Sequence, residues 1–507
     1  MHNQRKLGVI LSYVAQFLHM LVSLVYTPIM LRLMGQSDYG LYQMVFSVVS
    51  YLNLLSFGFN AAYIRYYSRY KAQDDDRGIA SLNGMFLTIF LCIAAIAALL
   101  GGILVVNIRD VLGTKLTAAE LGTARVLMIL MVINLTITFP TSVFDCYITS
   151  QERFIFQKLL VIFQHAASPI VTLPLLMLGY GSVAVISVTT GLTILKLIVN
   201  IYYCLRKLRM QISFRGFRFS LLREMAAFTF FIFLNQIIDQ VNWSVGKFLL
   251  GRYIGTVAVA IYGLASTINN VYLHFSTAVS NVFVPRINAL VAKENDNRQL
   301  TELFTKVGRI QFYILALILI GFISVGQPFM CMWGGEEYAQ SYWVTLLLII
   351  PVTVPLIQNL GIEIQRAKNM HQMRSVVYFF IAVANIFISI PLIQRFGAVG
   401  AAAGTAASLF LGNGIFMNFY YHRKIGLDII YFWKEILSTL PSLLLPGAVG
   451  ACIMRFYAIG SWLQLLIAAG LITASYCISV YFLGFNRYER ELVLSVIRKI
   501  TKKGRKT

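Results

Sequence analysis

Ionisable side chains inside apolar stretches are where this sequence could do chemistry. Asp239 lies near the middle of the apolar stretch 226–250 and Lys196 within 182–204. Asp145 and Glu363 fall near the ends of 123–147 and 342–364, and Arg65 just beyond 40–62. A charge at bilayer depth costs roughly 2.5–3.5 kcal/mol or more, so each needs a partner or water. Lys247 stands eight residues past Asp239, about 12 Å along one helix and too far for a direct pair. Such groups suit the holding and passage of a polar or charged solute, and Asp239 reads equally as functional, where it could couple to an ion, or as structural. Lys247 could instead carry its ammonium to the outer interface. His19 and His274 could titrate near neutral pH or sit buried and neutral.

Uncharged polar residues extend these positions into rows at helical spacing. Ser12, Gln16, His19 and Ser23 share one face, as do Asn235, Asp239 and Asn242. Thr267, Asn270, His274, Thr277 and Asn281 form a third row, Ser50, Asn53 and Asn60 a fourth, and Asn359, Glu363 and Arg366 a fifth. In lipid these faces must meet protein or water. Two readings stay open: a shared polar cavity, or hydrogen bonds between helices that touch no solute.

Bond-making chemistry is poorly provided for. Asp74, Asp75 and Asp76 contain a DxD, but in a short basic loop with no domain around it. Six cysteines are scattered without CxxC or CxxH spacing, which argues against a metal site or a disulfide frame. No GxxxxGK[ST] occurs to cradle nucleotide phosphates. No cofactor or metal is expected, although a proton, sodium or the membrane potential could drive passage.

The elements that must position these residues are long apolar helices. Of 507 residues, 58% are hydrophobic and 12% charged, against about 45–50% and 25% in ordinary soluble domains. Fourteen stretches are expected to span the membrane: 7–31, 40–62, 82–107, 123–147, 158–178, 182–204, 226–250, 257–283, 308–333, 342–364, 375–394, 398–420, 436–457 and 461–484. The first lacks a small-residue cleavage site and is expected to be retained. A net charge of +22 would suggest nucleic acid on a soluble domain. Here thirty-three of the 42 Lys and Arg fall at the N-terminus, in every second loop or in the tail. That bias predicts both termini in the cytoplasm and the bilayer, not nucleic acid, as partner. The basic tail 499–506 could touch anionic headgroups. Outer loops are short, the longest near 108–122, so no outer catalytic domain is expected.

An internal repeat underlies the spans. Arg32 and Arg252, Gly35 and Gly255, and Tyr42 and Tyr262 are each 220 residues apart. Pro174 and Pro391 follow at 217, Gly181 and Gly397 at 216, and Pro140 and Pro355 at 215. The drift predicts two parallel six-helix lobes, 1–224 and 225–425, then a helix pair at 426–484 and a basic cytoplasmic tail at 485–507. The fold class expected is therefore an all-α polytopic membrane protein, its paired lobes suiting transport, unless the repeat is only the trace of an old duplication.

Five segments resemble one family when taken in order. They are GQSDYGLY at 35–42, SFGFNAAYIRY at 56–66, LLGRYIG at 249–255 with Tyr262, QRAKNMHQMR at 365–374, and PLIQRFGAVGAAAGTAAS at 391–408. They resemble, across essentially the whole chain, the Wzx-type lipid-linked oligosaccharide flippases of the multidrug/oligosaccharidyl-lipid/polysaccharide exporter superfamily. Two departures stand out: Ser56 where an acid is common, and Lys247 where an Asp often stands. The resemblance implies a bacterial plasma-membrane transporter, not an enzyme, that moves an oligosaccharide on undecaprenyl diphosphate by rocking one lobe against the other. Arg65, Lys196, Lys247 and Arg252 would meet the diphosphate. Gln16, His19, Asp239, Asn242, Asn270 and His274 would line the same cavity. Glycosyltransferases and a polymerase of the pathway are the implied protein partners. The lipid II flippases of the superfamily carry an Arg-Asp pair in the first span, where this chain has Gln16 and His19 and no charge. Lipid II or drug export is the alternative, followed by a polymerase or ligase and by a non-transporting scaffold.

Overall fold

The computed structural model describes residues 2–113, 115–215, 219–293, 296–368, 370 and 372–491. The basic tail expected at 499–506 lies outside the described residues. Helices α1 (His2–Met34), α2 (Gln36–Val49), α3 (Phe59–Ala72), α4 (Asp76–Val106), α5 (Ile108–Leu112) and α6 (Ala118–Ser150) come first. Then follow α7 (Phe154–Met177), α8 (Gly181–Tyr202), α9 (Phe219–Tyr253), α10 (Thr256–Lys293), α11 (Asn297–Gly334) and α12 (Ser341–Ile357). The last are α13 (Asn359–Ala367), α14 (Gln372–Leu409), α15 (Asn418–Tyr420), α16 (Ile429–Leu437), α17 (Leu444–Phe456) and α18 (Trp462–Ser479). No strand occurs among the described residues. The protein is thus an all-helical, multi-pass membrane protein.

Among the described residues, eleven helices are long and apolar enough to cross a membrane, or twelve with the bent pair α12 and α13. The apolar stretch 372–425 is one of these, yet Gly397 breaks α14 at φ 57°. Helix α9 is 35 residues long but carries Asp239, Lys247 and several amides, which lower its hydropathy.

One expected span is a single crossing with an irregular turn inside it, and another is bent. The stretch 40–62 is divided by the 3-10 turn Ser50–Ser56 and by left-handed residues Phe57 and Gly58. Ser50, Asn53 and Asn60 therefore do not share one helical face. The stretch 342–364 bends by 41° between α12 and α13. Pro351 and Pro355 remove two backbone donors just before that bend.

Sequence-local caps fix several ends. Thr117 and Glu120 form a reciprocal capping box on α6, Ser461 and Gln464 another on α18, and Asp75 accepts from the Gly78 amide on α4. Outward positions are apolar, as lipid requires: Leu99, Ile103, Val106, Phe456 and Leu466 are all exposed.

The chain packs as two compact units, Met1–Leu264 with Ser375–Thr405, and Ala265–Arg374 with Ala406–Thr507. This partition follows packing and cuts α10 at Leu264. The lobe division at 224 and 225 describes a different property, repetition, and stays an expectation.

In the first unit α1 lies along α7, α6 packs against both α4 and α8, and α2 sits against α6 and α9. Its core holds Tyr39, Met44, Phe86, Phe90, Leu127 and Val143. A side chain at Gly40 would collide with the Thr256 carbonyl, and one at Gly251 with Met44. The approach at Gly40, to backbone, requires glycine, whereas Met44 can move aside at Gly251. In the second unit α11 is central, packing on α12, α16, α17 and α18.

Candidate functional site

Helix α9 carries four of the eight candidate residues of the first unit, Asp239, Asn242, Lys247 and Arg252. Lys247 Nζ donates to Gln43 Oε1 at 3.1 Å, and Gln43 Nε2 donates to the Tyr39 hydroxyl at 2.9 Å. The ammonium is thereby tied to α2. Gln240 donates to Ser50, and Asn235 accepts from Ser375 Oγ at 3.3 Å. Asn242 is half-buried, whereas Asp239 is exposed on the helix surface.

Lys196 on α8 meets a partner that sequence spacing did not indicate. Its Nζ lies 2.7 Å from Asp145 Oδ2 on α6, and Asn200 Nδ2 donates to the other carboxylate oxygen at 2.8 Å. Two of the ionisable residues singled out separately thus neutralise one another. Lys196 is a balanced charge within the packed helices.

His19 is exposed, not buried as one reading held. It stacks on His165 of α7 with ring centroids 4.7 Å apart and planes at 27°. Gln16, one turn earlier on α1, is half-buried. Arg65 is exposed on α3, while Tyr63, Tyr66 and Tyr67 around it are buried. Tyr63 donates to Asn83 Oδ1 at 2.5 Å, which fixes that helix from the opposite face.

Arg252 sits where α9 ends. Its Nη1 donates to the Asp110 carbonyl at 2.8 Å and to the Val111 carbonyl at 3.0 Å. It therefore belongs with α5. Close by in the chain's turns, Ser37 donates to Glu120 Oε1 at 2.6 Å and Thr256 to the same oxygen at 3.0 Å. Asp38 accepts from both the amide and the hydroxyl of Ser182, at the first turn of α8. An acid facing the N-terminus of a helix satisfies its free amides and its dipole.

Sequence reasoning missed Glu120 and Asp38 as organisers. The signal was present: the TAAE at 117–120 is a capping box before an apolar run, and Asp38 is the acid of the GQSDYGLY segment.

In the second unit α10 carries a second polar row beside the expected one. Asn269, Tyr272, Ser276 and Ser280 are buried. Tyr272 bonds the Thr353 hydroxyl at 2.7 Å, Ser276 donates to the Leu356 carbonyl at 2.7 Å, and Gln311 donates to Ser280 at 2.7 Å. Asn270 is exposed and His274 half-buried, on the face that these bonds do not use.

At the loop of the QRAKNMHQMR segment, Arg366 pairs with Glu363 at 2.7 Å. Lys368 donates to Asn297 and to the Ile425 carbonyl, and burial pushes its ammonium below the ordinary lysine value. Arg309 on α11 is a buried charge. It binds Glu489 at 2.7 Å, Glu435 at 3.1 Å, the Tyr313 hydroxyl at 2.8 Å and the Gly484 carbonyl at 2.9 Å. Arg309 is one of the cations assigned to an inner loop by its sign, and here it is a buried clamp.

Among the described residues no group of three or more His, Cys, Asp or Glu is placed to hold a metal ion.

A family model described as polysaccharide biosynthesis protein matches residues 6–291. The chain is 22% identical to "Uncharacterized membrane protein EpsK" of Bacillus subtilis (strain 168), over 96% of both chains. It is 24% identical to "Probable flippase AglR" of Haloferax volcanii, over 32% of this chain and 35% of that one. Among solved structures it resembles a lipid II flippase, MurJ, in an inward closed conformation, with a TM-score of 0.73 and 14% identity over 96% and 99% of the two chains. It also resembles an inward-facing multidrug resistance MATE family transporter, with a TM-score of 0.64 and 13% identity over 84% and 99%. These likenesses establish a shared transporter fold.

Proposed function

The chain belongs to the polysaccharide biosynthesis protein family, within the multidrug/oligosaccharidyl-lipid/polysaccharide exporter superfamily, and from that premise we propose that it flips a lipid-linked oligosaccharide from the inner to the outer leaflet. The carrier would be undecaprenyl diphosphate, the membrane a bacterial plasma membrane, and the mechanism alternating access. The name of the archaeal relative, a probable flippase, supports the same activity.

The observation that carries this reading is the exposure of polar groups on membrane helices. Asp239, Asn270, His19 and Arg65 are exposed although each lies on or beside an apolar span. A lipid-facing surface would not tolerate them, whereas a wet path for a sugar and a diphosphate uses them. The lipid tail would remain in the bilayer. Fourteen crossings, with Gly397 dividing α14 and α9 counted as a span, would leave both termini on one side, and the Lys and Arg bias would make that side the cytoplasm. The lobes 1–224 and 225–425 would rock, with the helix pair at 426–484 beside them. Asp239 is the proposed coupling residue for a proton, sodium or the membrane potential. Lys247 and Arg252 supply cations to the route, Gln16, Asn242 and His274 polar contacts, and Lys196 acts only when Asp145 releases it. Glycosyltransferases and a polymerase would deliver and consume the glycan.

Lipid II is the second reading, favoured by the fold shared with its flippase. The uncharged row Gln16 and His19 on α1 speaks against it. Depletion of the protein in its host tests the proposal. An undecaprenyl diphosphate oligosaccharide should accumulate on the inner leaflet while lipid II turns over normally. Accumulation of lipid II instead would contradict it.

A further inference from the structure

Cations outside the inner loops are scarce in this sequence, and three of the nine converge. Arg109, Lys115 and Arg252 line one cavity of about 420 Å³ in the first unit, together with Asp110, Gly113 and Tyr253. One of the three cations is fixed in place by the backbone around it. Arg252 is anchored through Nη1 to two backbone carbonyls, at 2.8 and 3.0 Å. Gly113 has φ +88° and packs so closely that a Cβ there would lie 3.2 Å from Arg252 Cγ and from the Arg252 carbonyl oxygen. Glycine at 113 thus lets the loop after α5 pack against the backbone and side-chain stem of Arg252. With one acid against three cations, the lining carries a net charge of two positive.

We infer that this cavity binds the phosphate groups of an anionic ligand, a diphosphate by preference, at the outer face. The assignment to the outer face rests on the proposed orientation, and the diphosphate on the proposed flippase activity. Guanidinium groups offer planar paired donors to phosphate oxygens, and Lys115 adds a compact third charge. Outer cations oppose the bias that orients the chain, so a cluster of three calls for a ligand. Two sources share the chemistry: the diphosphate of a carrier lipid after its passage, and the headgroup of an anionic phospholipid.

Lys115 is exposed and reports on the cavity directly. The full-length protein in phosphatidylcholine nanodiscs is treated with a membrane-impermeant amine reagent, and acylation of Lys115 is followed by peptide mass spectrometry. Inorganic diphosphate should slow that acylation at least fivefold. Arg109→Gln, which leaves the Arg252 anchors intact, should abolish most of the protection, and Asp110→Asn should give the same protection at lower diphosphate. Farnesyl diphosphate acting at a tenfold lower concentration than phosphatidylglycerol identifies the carrier lipid, and the reverse order identifies the headgroup. Unchanged labelling with all three probes, or protection that survives Arg109→Gln, overturns the inference. No step of this test requires translocation, so a protein that binds here and flips nothing would refute the proposed function alone.

Discussion

At the scale of single residues, exposure sets Asp239 apart from the half-buried pair of Lys196 and Asp145. Asp239 is exposed on a membrane helix, within reach of a solute or ion that follows that surface. Asp239→Asn should lower translocation at least tenfold with normal membrane insertion, and Asp239→Glu should restore part of it; a rate assay on insertion-matched samples checks both. Lys196 and Asp145 behave differently, since each satisfies the other at 2.7 Å. A double-mutant cycle over Lys196→Met and Asp145→Asn should give a coupling energy on the order of 1–2 kcal/mol in thermal or denaturant unfolding. The two are 51 positions apart on different helices, so their pairing was not legible from helical spacing. The same holds for His19 and His165. Spacing finds neighbours on one helix, and these partners are on two.

At the scale of elements, most helices were legible because an apolar run of the right length has few alternatives in lipid. The breaks were harder. Gly397 falls in the gap expected between 394 and 398, because PLIQRFGAVG reads as a turn. The 3-10 turn Ser50–Ser56 was not legible, since Ser50 and Asn53 recur at a spacing that an α-helix shares, and the left-handed residues Phe57 and Gly58 follow it. Arg309 shows the limit of reading charge by sign. Its 4% exposed side chain joins α11 to α16 and to the segment after α18 through Glu435 and Glu489. Breaking a buried pair from one side leaves an uncompensated charge, so Arg309→Met or Glu489→Gln should each cost about 3–5 kcal/mol. The melting temperature of the purified protein checks this, and the double substitution should cost less than the sum. Close approach gives a further prediction. Gly40→Leu would drive a side chain into the Thr256 carbonyl, and Gly40→Ala already meets that atom, so both should lower stability, leucine more.

At the scale of the whole molecule, the charge bias and the span count make one joint statement about orientation. An epitope at either terminus should be shielded from protease in intact cells, and Lys115 should be labelled from outside. Family membership and the transporter fold agree with the resemblance carried by the five sequence segments. What the glycan is could not be legible, because sugar recognition rests on side chains from many helices and not on a contiguous motif. The most direct measurement is translocation. The purified protein is placed in liposomes with undecaprenyl diphosphate oligosaccharide, and a membrane-impermeant glycan probe follows its outer-leaflet exposure over time. Protein-dependent exchange of this lipid, faster than that of lipid II and lost in Asp239→Asn, is the result predicted. Exchange of a small organic cation with neither lipid moving, under a proton, sodium or voltage gradient, would contradict the account.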